Sequence, residues 1–340
     1  MSAQESAQVT AVGVGSAGNR ILALLSEQST LIDRFVHISC DSADLVGPGA
    51  RILIDSRVDQ KLTPSMARGL AMRARSEIAE AIRGSRVVFV VAGLGGATGS
   101  GIAPYVASVA QEYGATTVGV AVMPFEFEKK MMFYAGVSLR RLRSETKGVV
   151  VIDNDTLMRS SPDDSPLQSL HESANREAVR SLSSILSVPG KDSVPVGLNK
   201  LLGTVVGEGY SLLGVSSSGA PDKAEDGLAG AVLSISKLAE TKSATRAVLI
   251  LSGDSSLSGK EVGVVVERLG PMMSNKGVDV EYCVGNYASS QLQVSLLASG
   301  FTSTKYDDYD PLDRILRGRS IDDEMDASLS EGLEALQPCD

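Results

Sequence analysis

The chain has 340 residues, 43% of them hydrophobic, so it can build two domains or one unusually large one around a buried core. Aromatic residues make up only 4% and Trp is absent, which argues against a stacking platform for single-stranded nucleic acid. Three widely separated cysteines and two histidines argue against a disulfide framework, a zinc site and other metal chemistry.

Charge is concentrated at the C-terminal end of the chain. The net charge is −9, and residues 307–340 hold eleven acidic and three basic residues, so the preceding body is close to neutral. Neither part has the basic surface that binding to nucleic acid requires. The sequence shows no signal peptide and no long uncharged apolar run, so we expect a cytoplasmic protein that does not insert into a membrane.

The first half of the chain alternates strand-like and helix-like segments. The predicted strands are Val9–Val14, Val36–Cys40, Arg51–Ile54, Arg86–Ala92, Thr117–Val122 and Val149–Asp153. The predicted helices are Asn19–Glu27, Ser65–Arg83, Ile102–Tyr113 and Met131–Glu145. Because the strands are almost continuously apolar, this alternation predicts an α/β fold with a parallel sheet that is covered on both faces.

A long helix and a second alternating region follow. An apolar stripe predicts a helix over residues 167–187, and beyond it lie predicted helices Leu198–Tyr210, Asp222–Leu238 and Lys260–Met273 with strands Ala247–Leu251, Val278–Val284 and Val294–Ser299. We therefore divide the chain into an N-terminal tail (1–8), a first domain (9–166), a central helix (167–187), a second domain (188–303) and an acidic, disordered tail (304–340).

Two glycine-rich loops each follow a predicted strand and open a helix. One is Gly93–Gly101 and the other is Gly13–Asn19. Glycines let backbone N–H groups approach a phosphate closely, and the dipole of the following helix adds to the attraction. Thr98 and Ser100 add hydroxyl donors. No Gly-Lys-Ser/Thr follows either loop, so neither is a Walker A loop.

The loop at Gly13–Asn19 also permits a different interpretation. It satisfies GxGxxG, and Asp41 lies near the distance at which an acidic residue binds the ribose in a Rossmann domain. The alternative is thus an NAD-type oxidoreductase. It does not explain the second glycine loop, and no pocket histidine stands out as an acid or base for hydride transfer.

Motifs after the fifth and sixth predicted strands favour another family. With Gly93–Gly101, the segments Pro124–Glu128 and Ile152–Asp155 form an ordered series that resembles the tubulin/FtsZ family. The resemblance covers approximately residues 9–301, and the form of the loop at residues 15–19 is similar to archaeal members. It implies a Rossmann-like GTP-binding domain with a parallel sheet, a long central helix and a second, smaller α/β domain. It also implies GTP or GDP as ligand, Mg²⁺ bound through the nucleotide, and a filament-forming role in cell division or cell shape.

The resemblance also assigns roles within the site. Glu128 matches the glutamate on the ribose, Asn154 and Asn175 match the base-contacting asparagines, and His171 matches an aromatic residue that stacks on the base. A carboxamide offers both a donor and an acceptor, which suits a purine edge. The full set of expected binding residues is Gly15, Ser16, Ala17, Asn19, Asp41, Gly95, Gly96, Ala97, Thr98, Gly99, Ser100, Glu128, Asn154, His171 and Asn175.

The departures from the family pattern concern hydrolysis. A helper loop in this family carries Asn-x-Asp-x-x-Asp and completes the site of the neighbouring subunit; its matching positions here are Pro195, Gly197 and Lys200. None of these can act as a carboxylate base, and we assign no catalytic residue. We therefore expect GTP hydrolysis to be weak or absent. The alternative is an active GTPase that uses replacement residues, with Asp192 as the candidate.

The partners follow from the same resemblance. We expect filaments of this chain alone or with an FtsZ paralogue, at the division site. In the acidic tail, apolar residues recur at roughly helical spacing at Ile321, Met325, Leu329, Leu333 and Leu336. This stripe fits a groove on a membrane adaptor or division protein, and a tail that only solubilises the chain is the alternative.

Overall fold

The computed structural model describes residues 9–29, 31–55, 61–157, 167–186, 197–219, 223–253, 258–273, 279–286 and 291–309. Several expectations lie outside these residues: the two terminal tails at 1–8 and 310–340, and the helper-loop positions Asp192 and Pro195. The division of the chain into domains stays a prediction.

Helices and strands alternate through this part of the chain. The strands are β1 (Val9–Val14), β2 (Arg34–Ser39), β3 (Ala50–Leu53), β4 (Val87–Gly93), β5 (Thr116–Met123), β6 (Gly148–Asp153), β7 (Tyr210–Ser218), β8 (Arg246–Gly253), β9 (Asp279–Asn286) and β10 (Leu292–Phe301). The helices are α1 (Gly15–Ser26), α2 (Pro64–Arg73), α3 (Arg75–Ile82), α4 (Ala97–Glu112), α5 (Lys129–Ser144), α6 (Asn154–Leu157), α7 (Leu167–Leu186), α8 (Leu198–Val205), α9 (Lys223–Ser236) and α10 (Gly259–Met273).

All ten strands join one sheet, in the order β3-β2-β1-β4-β5-β6-β7-β10-β8-β9. Neighbours from β3 to β7 run parallel, β10 runs antiparallel to both β7 and β8, and β9 runs parallel to β8. The predicted α/β class with a parallel sheet is therefore confirmed. The second half of the chain extends the same sheet through the β6–β7 pair.

The apolar strands are buried on both faces, as β4 illustrates. Its residues 88, 90 and 92 belong to a core that includes Ile78, Ile102 and Leu139 from α3, α4 and α5. Its residues 87, 89 and 91 belong to a second core, with Ile21 and Leu182 from α1 and α7. Burying one such aliphatic side chain stabilises the fold by about 1.5–3 kcal/mol, so both helical layers are held firmly to the sheet.

The structure corrects three sequence-based expectations. The predicted helix Ser65–Arg83 is two helices, because the backbone bends at Ala74 (φ −90°, ψ 18°). The predicted helix Leu198–Tyr210 ends at residue 205, because Gly207 and Gly209 have positive φ, and Tyr210 begins a strand. The expected start of the acidic tail was too early, since Lys305–Tyr309 form a 3-10 helix whose Tyr306 is buried in the core.

No helix in the described part of the chain is both long enough and apolar enough to span a membrane.

Candidate functional site

A cleft of about 560 Å³ opens at the carboxyl ends of β1, β4, β5 and β6. Ligands of parallel α/β sheets bind at this edge. Of the residues expected to bind the ligand, the structure brings the following together in its wall: Gly15, Ser16, Ala17, Gly96, Ala97, Thr98, Gly99, Glu128, Asn154, His171 and Asn175.

Two helices point uncapped N-termini at the cleft. Helix α1 begins at Gly15 and α4 begins after Gly96, and neither start has a side-chain cap hydrogen bond or an acidic residue in its first turn. The first N–H groups of a helix have no partner within the helix, and the dipole places partial positive charge there. The two helix starts therefore form a site for an anion such as a phosphate.

Close backbone packing explains several glycines of these two loops. Gly15 has φ +70°, and a Cβ on it would lie 3.2 Å from the amide nitrogen of Gly99, so the loops are in contact. A Cβ on Gly99 would lie 2.1 Å from the carbonyl oxygen of Gly93. The Gly95 N–H donates to Ser100 Oγ at 2.8 Å. Gly95 and Ser100 thus brace the loop from behind and do not line the cleft.

Asn154 and Asn175 line the cleft beyond β6 and on α7. They are only 7% and 8% exposed. Asn154 Oδ1 finds no hydrogen-bond partner within the described part of the chain. An unpaired buried acceptor costs about 1–3 kcal/mol, so this oxygen is placed to receive a donor from a ligand.

Glu128 is held in place by its own loop and by α7. Its Oε2 accepts from the N–H of Phe125 at 2.9 Å, and its Oε1 lies 3.5 Å from Nε2 of His171. The His171 ring meets Phe125 edge-on, with ring centroids 5.2 Å apart. The wall of the cleft therefore contains a carboxylate of fixed orientation beside an imidazole.

Two further expected binding residues, Asn19 and Asp41, also lie outside the wall. Asn19 is fully buried, donating from Nδ2 to the carbonyl of Ile38 at 3.2 Å with its Oδ1 3.2 Å from His37 Nδ1, so it ties α1 to β2. Asp41 is exposed and accepts from the N–H of Ala43 at 2.9 Å. It lines a neighbouring cavity of about 500 Å³, and among the residues that the structure describes Thr98 alone lines both this cavity and the cleft. This position does not support a ribose-binding role for Asp41 in the cleft.

Sequence reasoning missed two charged residues of the wall, Arg20 and Asp44. Arg20 lies four residues after Ser16, a spacing that puts both on one face of α1 and could have revealed it. Asp44 lies in a 3-10 helix (Ser42–Asp44) that the pattern did not predict, and it accepts from Ser39 Oγ at 2.9 Å. Met131 also lines the wall.

Acidic residues at the end of β6 predict a pH-dependent stability. Burial and the neighbouring Asp153 raise the pKa of Asp155 to about 6, against the opposing effects of a hydrogen bond from the Glu126 N–H and the charge of Lys305. Since the folded pKa exceeds the unfolded one, this group stabilises the fold below about pH 4, and that contribution is lost as the pH rises through about 6.

We therefore expect Asp155→Asn to raise the free energy of unfolding at pH 8 and to leave it unchanged at pH 4. The asparagine keeps an acceptor for the Glu126 N–H, which lies 3.0 Å from Oδ2, and removes the buried charge. Urea denaturation at pH 4, 6 and 8 measures the difference. Equal stabilities of variant and wild type at pH 8 would contradict the assignment.

Known proteins resemble this chain in sequence and in fold. The model of the Tubulin/FtsZ family GTPase domain matches residues 61–162, which include the second glycine loop, Glu128 and Asn154. The structure of an FtsZ dimer from M. jannaschii is 26% identical with a TM-score of 0.77, and the match covers 87% of this chain and 89% of that chain.

More distant structures share the fold. A GTPγS-bound protofilament of CetZ2 from Haloferax volcanii is 22% identical with a TM-score of 0.73, covering 92% of this chain and 100% of that chain. TubZ from Bacillus thuringiensis serovar israelensis is 15% identical with a TM-score of 0.70, covering 97% and 94%. Residues 61–162 thus match the Tubulin/FtsZ GTPase domain, and the chain as a whole has the tubulin/FtsZ fold, consistent with a divergent FtsZ-like protein.

Proposed function

We propose that the cleft binds a guanine nucleotide, GTP or GDP. The observation that carries this is the unpaired, buried Asn154 Oδ1 in the same cleft as two uncapped helix N-termini. Strand β6 lies three positions from β1, and at the usual strand spacing this is about 14 Å, the length scale of an extended nucleoside diphosphate. The volume of about 560 Å³ falls within the range of pockets for ligands of this size.

The residues of the cleft divide by chemistry. The backbone N–H groups at the starts of α1 and α4, with the Thr98 hydroxyl, would hold the phosphates. Glu128 would accept from the ribose hydroxyls, and Asn154 and Asn175 would contact the base edge. Mg²⁺ would be held through the phosphates, because this ion keeps several waters and favours phosphate oxygens. Arg20 supplies a positive charge beside the phosphate loops.

The nucleotide that the protein carries after purification tests the ligand class. Protein purified without added nucleotide and then denatured by acid should release GDP or GTP, identified by chromatography of the supernatant. The phosphate loops alone would accept any nucleotide, so the base is the informative part. Release of an adenine nucleotide or of NAD in stoichiometric amount would overturn the proposal.

We infer that hydrolysis of bound GTP is weak or absent, because Gly197 and Lys200 occupy helper-loop positions at the start of α8. An active GTPase that uses Asp192 is the second candidate. The oxidoreductase is less favoured, since Asp41 lies outside the wall of the cleft.

We also propose that the chain assembles with copies of itself, so that the face of one copy that carries the cleft contacts α8 of the next copy. The FtsZ match is a dimer, and the matched CetZ2 and TubZ structures are protofilaments. Around the cleft the chain exposes large apolar side chains, Phe127, Met131, Phe133 and Tyr134. Contiguous exposed apolar residues of this kind mark an interaction surface.

Phe133→Asp is expected to reduce the amount of protein that sediments with GTP, because an apolar interface residue commonly contributes enough to weaken association about tenfold. The matched control is Tyr282→Asp, which changes a similarly exposed ring on β9, at the far edge of the sheet (48% and 44% exposed, respectively). A wild-type protein that stays monomeric with GTP at high concentration would contradict self-assembly and leave assembly with a paralogue.

The residues after Tyr309 are proposed to dock on an adaptor or division protein and to bring the chain to the division site. Support comes from the apolar spacing and acidity of that segment. Removing residues 310–340 should abolish both localisation and capture of the partner. If neither changes, the segment only solubilises the chain.

A further inference from the structure

A buried carboxylate joins the C-terminal 3-10 helix to the end of β6. Asp153 is 1% exposed, and its Oδ2 accepts from the Tyr306 hydroxyl at 2.8 Å and lies 2.9 Å from Lys305 Nζ. Burial raises the pKa of Tyr306 well above its usual value, so the phenol remains a donor. Taking a carboxylate out of water costs several kcal/mol unless charge and hydrogen bonds compensate it, so these two partners are required.

The same carboxylate sets the turn that carries Asn154. Asp153 Oδ1 accepts from the N–H of Thr156 at 2.9 Å, and the Thr156 hydroxyl donates to the Asp153 carbonyl at 2.9 Å. These bonds close the first turn of α6, which begins at Asn154. The direction of the Asn154 side chain therefore depends on where the Asp153 carboxylate is held.

A second link reaches the loop of Glu128. Lys305 Nζ lies 3.2 Å from Glu126 Oε1, and the Glu126 N–H donates to Asp155 Oδ2 at 3.0 Å. The loops that hold Asn154 and Glu128 are thus tied together through Lys305, which contacts both Glu126 and Asp153, and directly by the hydrogen bond from Glu126 to Asp155. The Asp153 carboxylate stands at the centre of this arrangement, in contact with Tyr306, Lys305 and the Thr156 N–H.

We propose that Lys305 and Tyr306 are positioning residues for the base: through Asp153 they orient Asn154 and so set the preference for guanine over a purine that lacks the 2-amino group. This rests on the proposed nucleotide function. The side chains of Asp153, Lys305 and Tyr306 do not line the cleft, so they act on the ligand through the first turn of α6, which carries Asn154. By linkage, a bound guanine nucleotide should in turn hold the segment Lys305–Tyr309 more firmly against the body.

The test compares the affinities for GDP and inosine diphosphate, which differ only in the 2-amino group. Asn154→Ala should abolish the preference of the wild type for GDP. Tyr306→Phe removes one hydroxyl and should lower the GDP/inosine diphosphate preference about three- to tenfold, the size of one lost hydrogen bond. Lys305→Met should lower this preference to a similar extent. Lys305→Arg, which keeps the charge, should retain most of the wild-type preference.

Ser211→Ala is the matched control, because it removes another buried hydroxyl hydrogen bond, 2.8 Å to Ser299 Oγ, far from Asn154. It should lower stability without changing the preference. If Tyr306→Phe and Lys305→Met both keep the wild-type preference while Asn154→Ala loses it, the positioning role is wrong and the nucleotide function stands. If the wild type binds neither nucleotide, both proposals fail.

Discussion

GTP bound to the purified protein should be hydrolysed about 10²- to 10⁴-fold more slowly than by an FtsZ that keeps its helper-loop acids, the usual cost of losing a positioned base or charge. Gly197 is the residue before α8 and has no side chain, and Lys200 is exposed on the first turn of that helix. A cation at Lys200 reverses the charge that would polarise an attacking water.

Release of phosphate under conditions that favour assembly measures this rate. The double variant Gly197→Asp, Lys200→Asp places carboxylates at the two matching positions that the structure describes and should raise turnover. The double variant Gly197→Asn, Lys200→Asn is its matched control, since it adds polar side chains of the same size without charge. A wild-type rate within about tenfold of an active relative would contradict the expectation, and Asp192→Asn would then identify the replacement base.

Gly96→Val should weaken GDP binding at least about 100-fold, equivalent to about 2.7 kcal/mol, while the protein folds normally. Gly96 has φ −79° and ψ 158°, which any residue adopts, and a Cβ on it meets no atom within 4 Å. The new side chain would instead occupy the start of α4, where the phosphates are proposed to lie. The free energy of unfolding should change by less than about 0.5 kcal/mol.

The contrast with Gly99→Ala makes this test specific. A Cβ at residue 99 would lie 2.1 Å from a backbone carbonyl oxygen, so that variant should lose about 1–3 kcal/mol of stability and weaken binding through the fold. Isothermal titration with GDP and urea denaturation of both variants separate the two effects. Wild-type affinity in Gly96→Val would show that the start of α4 does not hold the phosphates.

The glycine loops and apolar strands could be read from the sequence because their signals are local. A buried parallel strand is continuously apolar, and a loop that contacts another backbone requires glycine, as Gly15 and Gly99 show. The order of the strands then brought together residues as distant in sequence as Gly15, Glu128 and Asn175. Most of the candidate site follows from these two facts.

The features that the sequence did not predict depend on contacts between residues distant in the chain or on local backbone geometry. The hydrogen bond from the Tyr306 hydroxyl to Asp153 joins residues that are 153 positions apart, and no spacing along the chain predicts this contact. Asn19 matched the binding motif, yet its partners Ile38 and His37 lie on β2 and give it a structural role. The break at Ala74 involves neither glycine nor proline, so no composition signal marks it.

Isothermal titration of nucleotide-free protein with GDP, ADP and NAD⁺ tests the central claim most directly. GDP is expected to bind at least about 100-fold more tightly than ADP or NAD⁺, because guanine presents adjacent N1–H and 2-amino donors to the unpaired Asn154 Oδ1, whereas adenine has an acceptor at N1 and no 2-amino group. The same titration of Asn154→Ala should show most of this preference lost. Tighter binding of NAD⁺ than of GDP would contradict the account.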